Sequence, residues 1–277
     1  MIAIVSLTIG EALRRRVLWV LFVGAVLLSA VTPIGIGRLA SYASDAGANR
    51  QAVEALVAGG LIYIAFQASF VLAMTAALLG APSISRDIAS GAAAVLLTRP
   101  LLRSTYLIGR WLGLAIVLVI EAAIIAATSL GVSALATGYA PPLPVLPVIF
   151  LAGQALVVLS FTVMLSARFP TSIAGAMAMV AYAVAWLAGV LGSVEPGGAG
   201  SGASFLGRLF DIAFPTDALW RGVLFGLEPP ALMASSGAAG NPFFVDAPPN
   251  PFILVWTAFW VLLVLWQGIA FLRRREL

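Results

Sequence analysis

Long apolar runs separated by short polar punctuation organise this chain. A helix needs about 20 apolar residues to cross the hydrocarbon core of a bilayer. Six stretches have that character: 17–37, 57–80, 106–136, 145–167, 171–193 and 252–272. The third is long enough to be tilted or to extend beyond the membrane. The opening segment 1–16, MIAIVSLTIGEALRRR, reads as an amphipathic helix at the membrane interface. Val5, Ile9, Ala12 and Leu13 can share a face, with Glu11, Arg14, Arg15 and Arg16 at the end. The same pattern also fits one long first span with a basic flank. It does not fit a usual signal peptide, because 17–37 exceeds the normal apolar length and the residues before Arg14 are mostly apolar.

A second short amphipathic pattern lies between the second and third spans. Gly80-Ala81-Pro82 is a stop for the second span, and Ser83 or Ser85 is a candidate cap. Ile84, Ile88, Ala92 and Val95 then form one apolar stripe at helical spacing, with Arg86, Asp87 and Ser90 off it. Arg99-Pro100 ends the pattern, since the residue before proline is pushed out of the helical region. Ser104 is a candidate cap for the third span. The prediction is a helix between two membrane helices that is longer than a turn requires. Its arginines present forked, permanently charged contacts suited to docking another protein. A basic loop that merely fixes topology explains the same residues.

Composition narrows the setting. The chain is 62% hydrophobic and 9% charged, whereas soluble domains are about a quarter charged. Lipid must therefore be part of the solvent. There is no Cys, His or Lys, and all fifteen basic residues are Arg. This excludes disulfides and thiolate chemistry, and it removes the commonest general base and metal ligand. It also removes the P-loop lysine, so any ATP hydrolysis belongs to another chain. With the N-terminus inside, eleven arginines fall in inner segments and four (Arg38, Arg50, Arg208, Arg221) in outer ones. That is a positive-inside bias, and it places both termini in the cytoplasm. Arginines flanking spans account for the basic balance without nucleic acid.

The outer loop 194–251 opens with a Gly/Ser linker and closes with the Pro-rich NPFFVDAPPNP. Between them Leu219, Trp220, Val223, Leu224 and Leu227 follow helical spacing, with Thr216 as a candidate cap. One or two short helices dipping into the outer membrane surface are expected. Arg208, Asp211, Pro215, Asp217 and Arg221 break the run and exclude a seventh span.

Three patches, read in order, resemble membrane subunits of ABC exporters of the type-2 permease class, close to nitrous-oxide-reductase maturation permeases. They are EALRRRVLWVL at 11–21; Asp87, Gly91, Leu96-Leu97, Arg99-Pro100 and Arg103 followed by Tyr106, Gly109, Arg110 and Gly113; and FPTDALWRG at 214–222. Asp87 stands where Glu is more usual, and Arg110 where Lys is commoner. The outer loop is longer than in many members. The resemblance implies an all-α membrane protein: an elbow helix (1–16), six spans, a cytoplasmic coupling helix within 81–105, and short outer helices in 194–251. It implies one permease domain over 1–277, in a bacterial inner membrane. It further implies docking of a cytoplasmic ATPase, which would hold ATP and Mg, on Arg86, Asp87, Ser90, Gly91, Arg99, Pro100 and Arg103 and on the elbow. Two permease copies, identical or related, would complete the transporter. No cofactor, metal or catalytic residue is expected in this chain.

Glu121 is the one acid deep in a span. Intramembrane carboxyls are costly, so it is a functional candidate. A structural hydrogen bond, a substrate or dimer contact, and a proton relay are its possible roles. Tyr63, Gln67, Tyr182 and Trp186 lie on the second and fifth spans, which line the central cleft in the related exporters; ordinary packing positions are the alternative. Ala174, Ala178, Ala181, Ala185 and Gly189 follow a small-xxx-small spacing that marks some helix interface. The function expected is ATP-driven export. A mechanical transmitter to an outer partner is the second reading. A secondary transporter would require more buried charge, and an integral-membrane enzyme would show paired acids that are not seen.

Overall fold

The structure, a computed structural model, describes residues 1–91, 102–194, 202–229, 243, 245 and 248–274. Among these residues every regular element is an α-helix. In chain order they are α1 (Ile2–Leu13), α2 (Arg16–Asp45), α3 (Arg50–Gly80), α4 (Pro82–Ala89) and α5 (Arg103–Thr137), then α6 (Val145–Ser166), α7 (Thr171–Val194), α8 (Gly202–Ala213), α9 (Thr216–Leu227) and α10 (Phe252–Arg274). Helices α2, α3, α5, α6, α7 and α10 are long and apolar enough to cross a membrane. They contain the six expected spans. Several run past the apolar stretch, because polar residues flanking it continue the helix. Thus α3 starts at Arg50, where the side chain of Asn49 accepts a hydrogen bond from the Ala52 N–H at 2.8 Å.

Helix α6 occupies the centre and packs against α3, α5, α7, α9 and α10. Its sequence is apolar on nearly every side, as suits a largely buried helix. Helix α2 packs on α3 and α5 and leaves Val20, Leu27 and Val31 exposed to lipid. Helices α1, α4 and the C-terminus of α10 lie at one end of the bundle. The turns between α2 and α3 and between α5 and α6 lie at the other, with α9 packed on α6 and α7.

Local expectations are corrected at several points. Ser83 and Ser85 do not cap α4: the helix starts at Pro82, and their hydroxyls bond back to the Gly80 and Ala81 carbonyls. Leu102, not Ser104, precedes α5, and Pro215 precedes α9, so Thr216 is its first helical residue. Helix α4 ends at Ala89, and Gly91 adopts φ +74°, a left-handed conformation that stops a helix; the expected continuation to Arg99 lies outside the described residues. Finally, the outer helices are not surface-bound throughout. Leu219, Val223 and Leu224 of α9 are fully buried, and Gly222 lets α9 close on the Phe150 ring of α6.

Candidate coupling site

Helix α4 follows α3 almost without a break. Ala81 keeps helical dihedrals and its N–H bonds the Ala77 carbonyl at 3.0 Å. Pro82 has no N–H, so the carbonyl four residues back, that of Leu78, loses its helical donor. Arg15, at the junction of α1 and α2, supplies one: its Nη1 donates to that carbonyl at 3.4 Å. Burial, and then the neighbouring Arg86, lower the pKa of Arg15 from its ordinary value. Ile84 is fully buried and Ile88 packs against the core. The first half of the apolar stripe thus faces into this chain. Its second half, Ala92 and Val95, lies outside the described residues, as do Arg99 and Pro100.

Helix α1 lies across the start of α5. Two glycines one turn apart permit the approach. A Cβ on Gly109 would stand 2.9 Å from Ile4 Cγ2, and one on Gly113 2.7 Å from Thr8 Cβ. Thr8 is buried there and satisfies its hydroxyl within α1, donating to the Ile4 carbonyl at 2.7 Å. The buried face of α1 therefore centres on Thr8 and Ala12, whereas Leu13, assigned to that face from the sequence, is 45% exposed.

Between the two glycines, Arg110 reaches back under α1. Its guanidinium donates one arm to Glu11 of α1 and the other to Asp87 of α4. The Tyr106 hydroxyl donates to the same Asp87 carboxylate, and its ring lies 5.7 Å from the guanidinium carbon. The Arg110 side chain is 4% exposed, Asp87 17% and Glu11 45%. One cation on a span thus fastens the two short helices at this end. Arginine suits the task because its fork serves two acceptors with fixed geometry.

The remaining predicted residues separate into inward and outward groups. Arg103 donates through Nη1 to the carbonyls of Leu272 and Arg273 at 2.8 and 2.9 Å, capping the end of α10. Arg14, Arg16, Arg86, Ser90 and Gly91 are exposed. At the bundle interior, Tyr182 is buried and shares a 2.6 Å hydrogen bond with Ser69. Ser69 donates to Gln154 Oε1 at 2.6 Å, and Gln154 donates to the Thr216 carbonyl at 2.9 Å. This chain of bonds joins α3, α6, α7 and α9. Trp186 packs on Phe66, ring centres 5.5 Å apart. Gln67 is half-buried with its Oε1 unpartnered, and Tyr63 is 56% exposed. Glu121 accepts a 3.3 Å bond from Thr75. The structure brings Tyr182 and Trp186 near α9 but not Glu121, which is buried where α5 meets α3. Ala174, Ala178, Ala185 and Gly189 are buried within this chain. Gly189 makes room for Asp217, whose carboxyl group fills the space a Cβ would take.

Residues 2–206 match the family model of the ABC-2 family transporter protein. The chain belongs to that family. No curated protein matches the sequence. An ABC-2 protein of this kind is the transmembrane permease of an ABC transporter, a multi-pass component that works with an ABC ATPase subunit. The matched region contains all four residues of the Arg110 cluster. Sequence reasoning named Asp87 and Glu11 as docking residues but did not foresee that they meet on Arg110. The available signal was Arg110 itself, a charge inside an apolar stretch between two glycines. Ser69 and Gln154 went unnoticed because a Ser and a Gln in apolar helices carry no distinctive spacing.

Proposed function

We propose that this permease is the transmembrane half of an ATP-driven exporter, and that α4, α1 and the start of α5 form its input lever. The observation carrying this reading is Arg110, which ties an elbow helix and a coupling helix to one span. A push on α4 then reaches α5 directly and reaches α3 through the nearly continuous α3–α4 rod. Packed elements joined in this way shift as units. In the proposed orientation the lever end is cytoplasmic, in keeping with its arginines. The exposed Arg86 and the elbow arginines contact the ATPase, whereas Asp87 and Arg103 act from inside, holding the lever together. Two copies, or a related second permease, make the complete transporter. The likeness to nitrous-oxide-reductase maturation permeases belongs to this proposal.

A second reading is a transmitter that moves an outer partner without bulk transport. The bond of Gln154 to Thr216 and the seating of Asp217 on Gly189 favour it, since they make α9 follow the spans. Co-expression with a candidate ABC ATPase subunit tests the main reading. Arg86→Glu is expected to reduce co-purified ATPase severalfold. Asp87→Asn is expected to keep binding but lower ATP turnover in lipid. If both variants bind and turn over like the wild type, α4 is not the input.

A further inference from the structure

Helix α4 also meets the start of α7, through a pair of hydroxyls and a pair of small residues. The Ser85 hydroxyl donates to the Ala81 carbonyl at 2.7 Å, so its single proton is used inside α4. The hydroxyl of Thr171, the first residue of α7, lies 2.7 Å from Ser85 Oγ. Thr171 is therefore the donor of that bond. Ser85 is buried. One turn further along α7, Gly175 brings the backbone against α4: a Cβ on Gly175 would stand 3.4 Å from Ala81 Cβ. Neither pair involves Arg110, Glu11 or Asp87, so this contact is separate from the arginine clasp.

The far end of α7 carries both outer helices. Asp217 of α9 fills the space beside Gly189, and Gly207 of α8 lies against Ala188, where a Cβ would stand 3.4 Å from the carbonyl oxygen. From Thr171 to Gly189 is about 27 Å along the helix at 1.5 Å rise per residue, close to the thickness of the hydrocarbon core. One helix thus touches the lever at one end and α8 and α9 at the other. We propose that Ser85 and Thr171 are positioning residues that lock α4 to α7 and make α7 a direct output of the lever to the outer helices. This inference rests on the reading of α4 as the input. A displacement of α4 then reaches α8 and α9 along one rigid span, separately from the routes through α3 and α5.

Paired spin labels on the full chain, which has no native cysteine, test the lock. In the chain alone in lipid nanodiscs, labels at Ala89→Cys in α4 and Leu187→Cys in α7, both exposed, are expected to give one narrow distance within a copy. Thr171→Val keeps the side-chain shape and deletes the donor. It is expected to raise the population with α4 undocked, seen as a second and broader distance, roughly fivefold, the weight of one hydrogen bond between neutral groups. Thr171→Ser should restore the narrow distance, and Gly175→Ala, whose methyl has room, should leave it unchanged. In the complex with an ABC ATPase subunit, ATP is expected to shift the distance between copies both for Ala89→Cys labels and for Ile212→Cys labels on α8. With Thr171→Val the Ala89 shift should remain while the Ile212 shift falls severalfold. A narrow distance that survives Thr171→Val, or an Ile212 shift that it leaves intact, would overturn the proposal. An Ala89 pair that stays still on ATP binding, with the distances in the chain alone as expected, would keep the lock and overturn instead the reading of α4 as the input.

Discussion

Arg110 pairs with two carboxylates of unequal burial, and that inequality makes the cluster testable. Removing one partner of a buried ion pair costs about 3–5 kcal/mol, since the other charge is left behind. Glu11 is 45% exposed and water screens it, whereas Asp87 is 17% exposed and also bonds Tyr106. Arg110→Ala is therefore expected to lower stability in detergent by about 3 kcal/mol. In double-mutant cycles the Arg110–Asp87 coupling should exceed the Arg110–Glu11 coupling. Equal couplings would show that Asp87 is as solvated as Glu11. Much of this was legible beforehand: a charge inside an apolar run demands a partner, and Asp87 and Glu11 were both singled out. Which acids would meet was not legible, because that depends on how α1 crosses α5. Sequence periodicity fixes the faces of a helix, not its crossing.

Helix α1 shows where periodicity stops informing. Its residues are apolar on nearly every side, so the choice of buried face falls to Gly109 and Gly113 on its neighbour. Gly113→Leu should lift the elbow off α5. The chain has no cysteine, so maleimide labelling of Thr8→Cys reads this directly: slow in the parent, fast with Gly113→Leu. Unchanged labelling would mean that the elbow adapts. For α4, the stripe was legible through Ile88, and its continuation past Gly91 lies outside the described residues. At the other end, burial and then the nearby Asp217 raise the pKa of Asp211 in α8 to about 6, against the pull of Arg221. A carboxyl raised in the folded state binds more protons folded than unfolded, so stability falls as pH rises from about 4 to about 6. Thermal stability should therefore increase on acidification through that window, and Asp211→Asn should flatten this part of the profile. A profile that Asp211→Asn leaves intact would assign the effect elsewhere.

At the scale of the whole molecule, the six spans were readable from length and apolarity alone, since no other solvent accommodates such runs. Their arrangement around α6 was not, because apolar spans look alike until small residues and buried amides decide which pairs approach. If Arg110 clasps α1 to α4 as proposed, the two helices move as one body when ATP binds the partner chain. Spin labels at Ser6→Cys and Ala89→Cys, both exposed, measure it by electron–electron distance in the reconstituted complex. Between nucleotide-free and ATP-bound states, the distance between these labels within one copy should stay constant. The distance between Ala89→Cys labels on the two copies should change. A Ser6–Ala89 distance that shifts as much as the distance between copies would contradict a clasped lever, and so would two distances that never change.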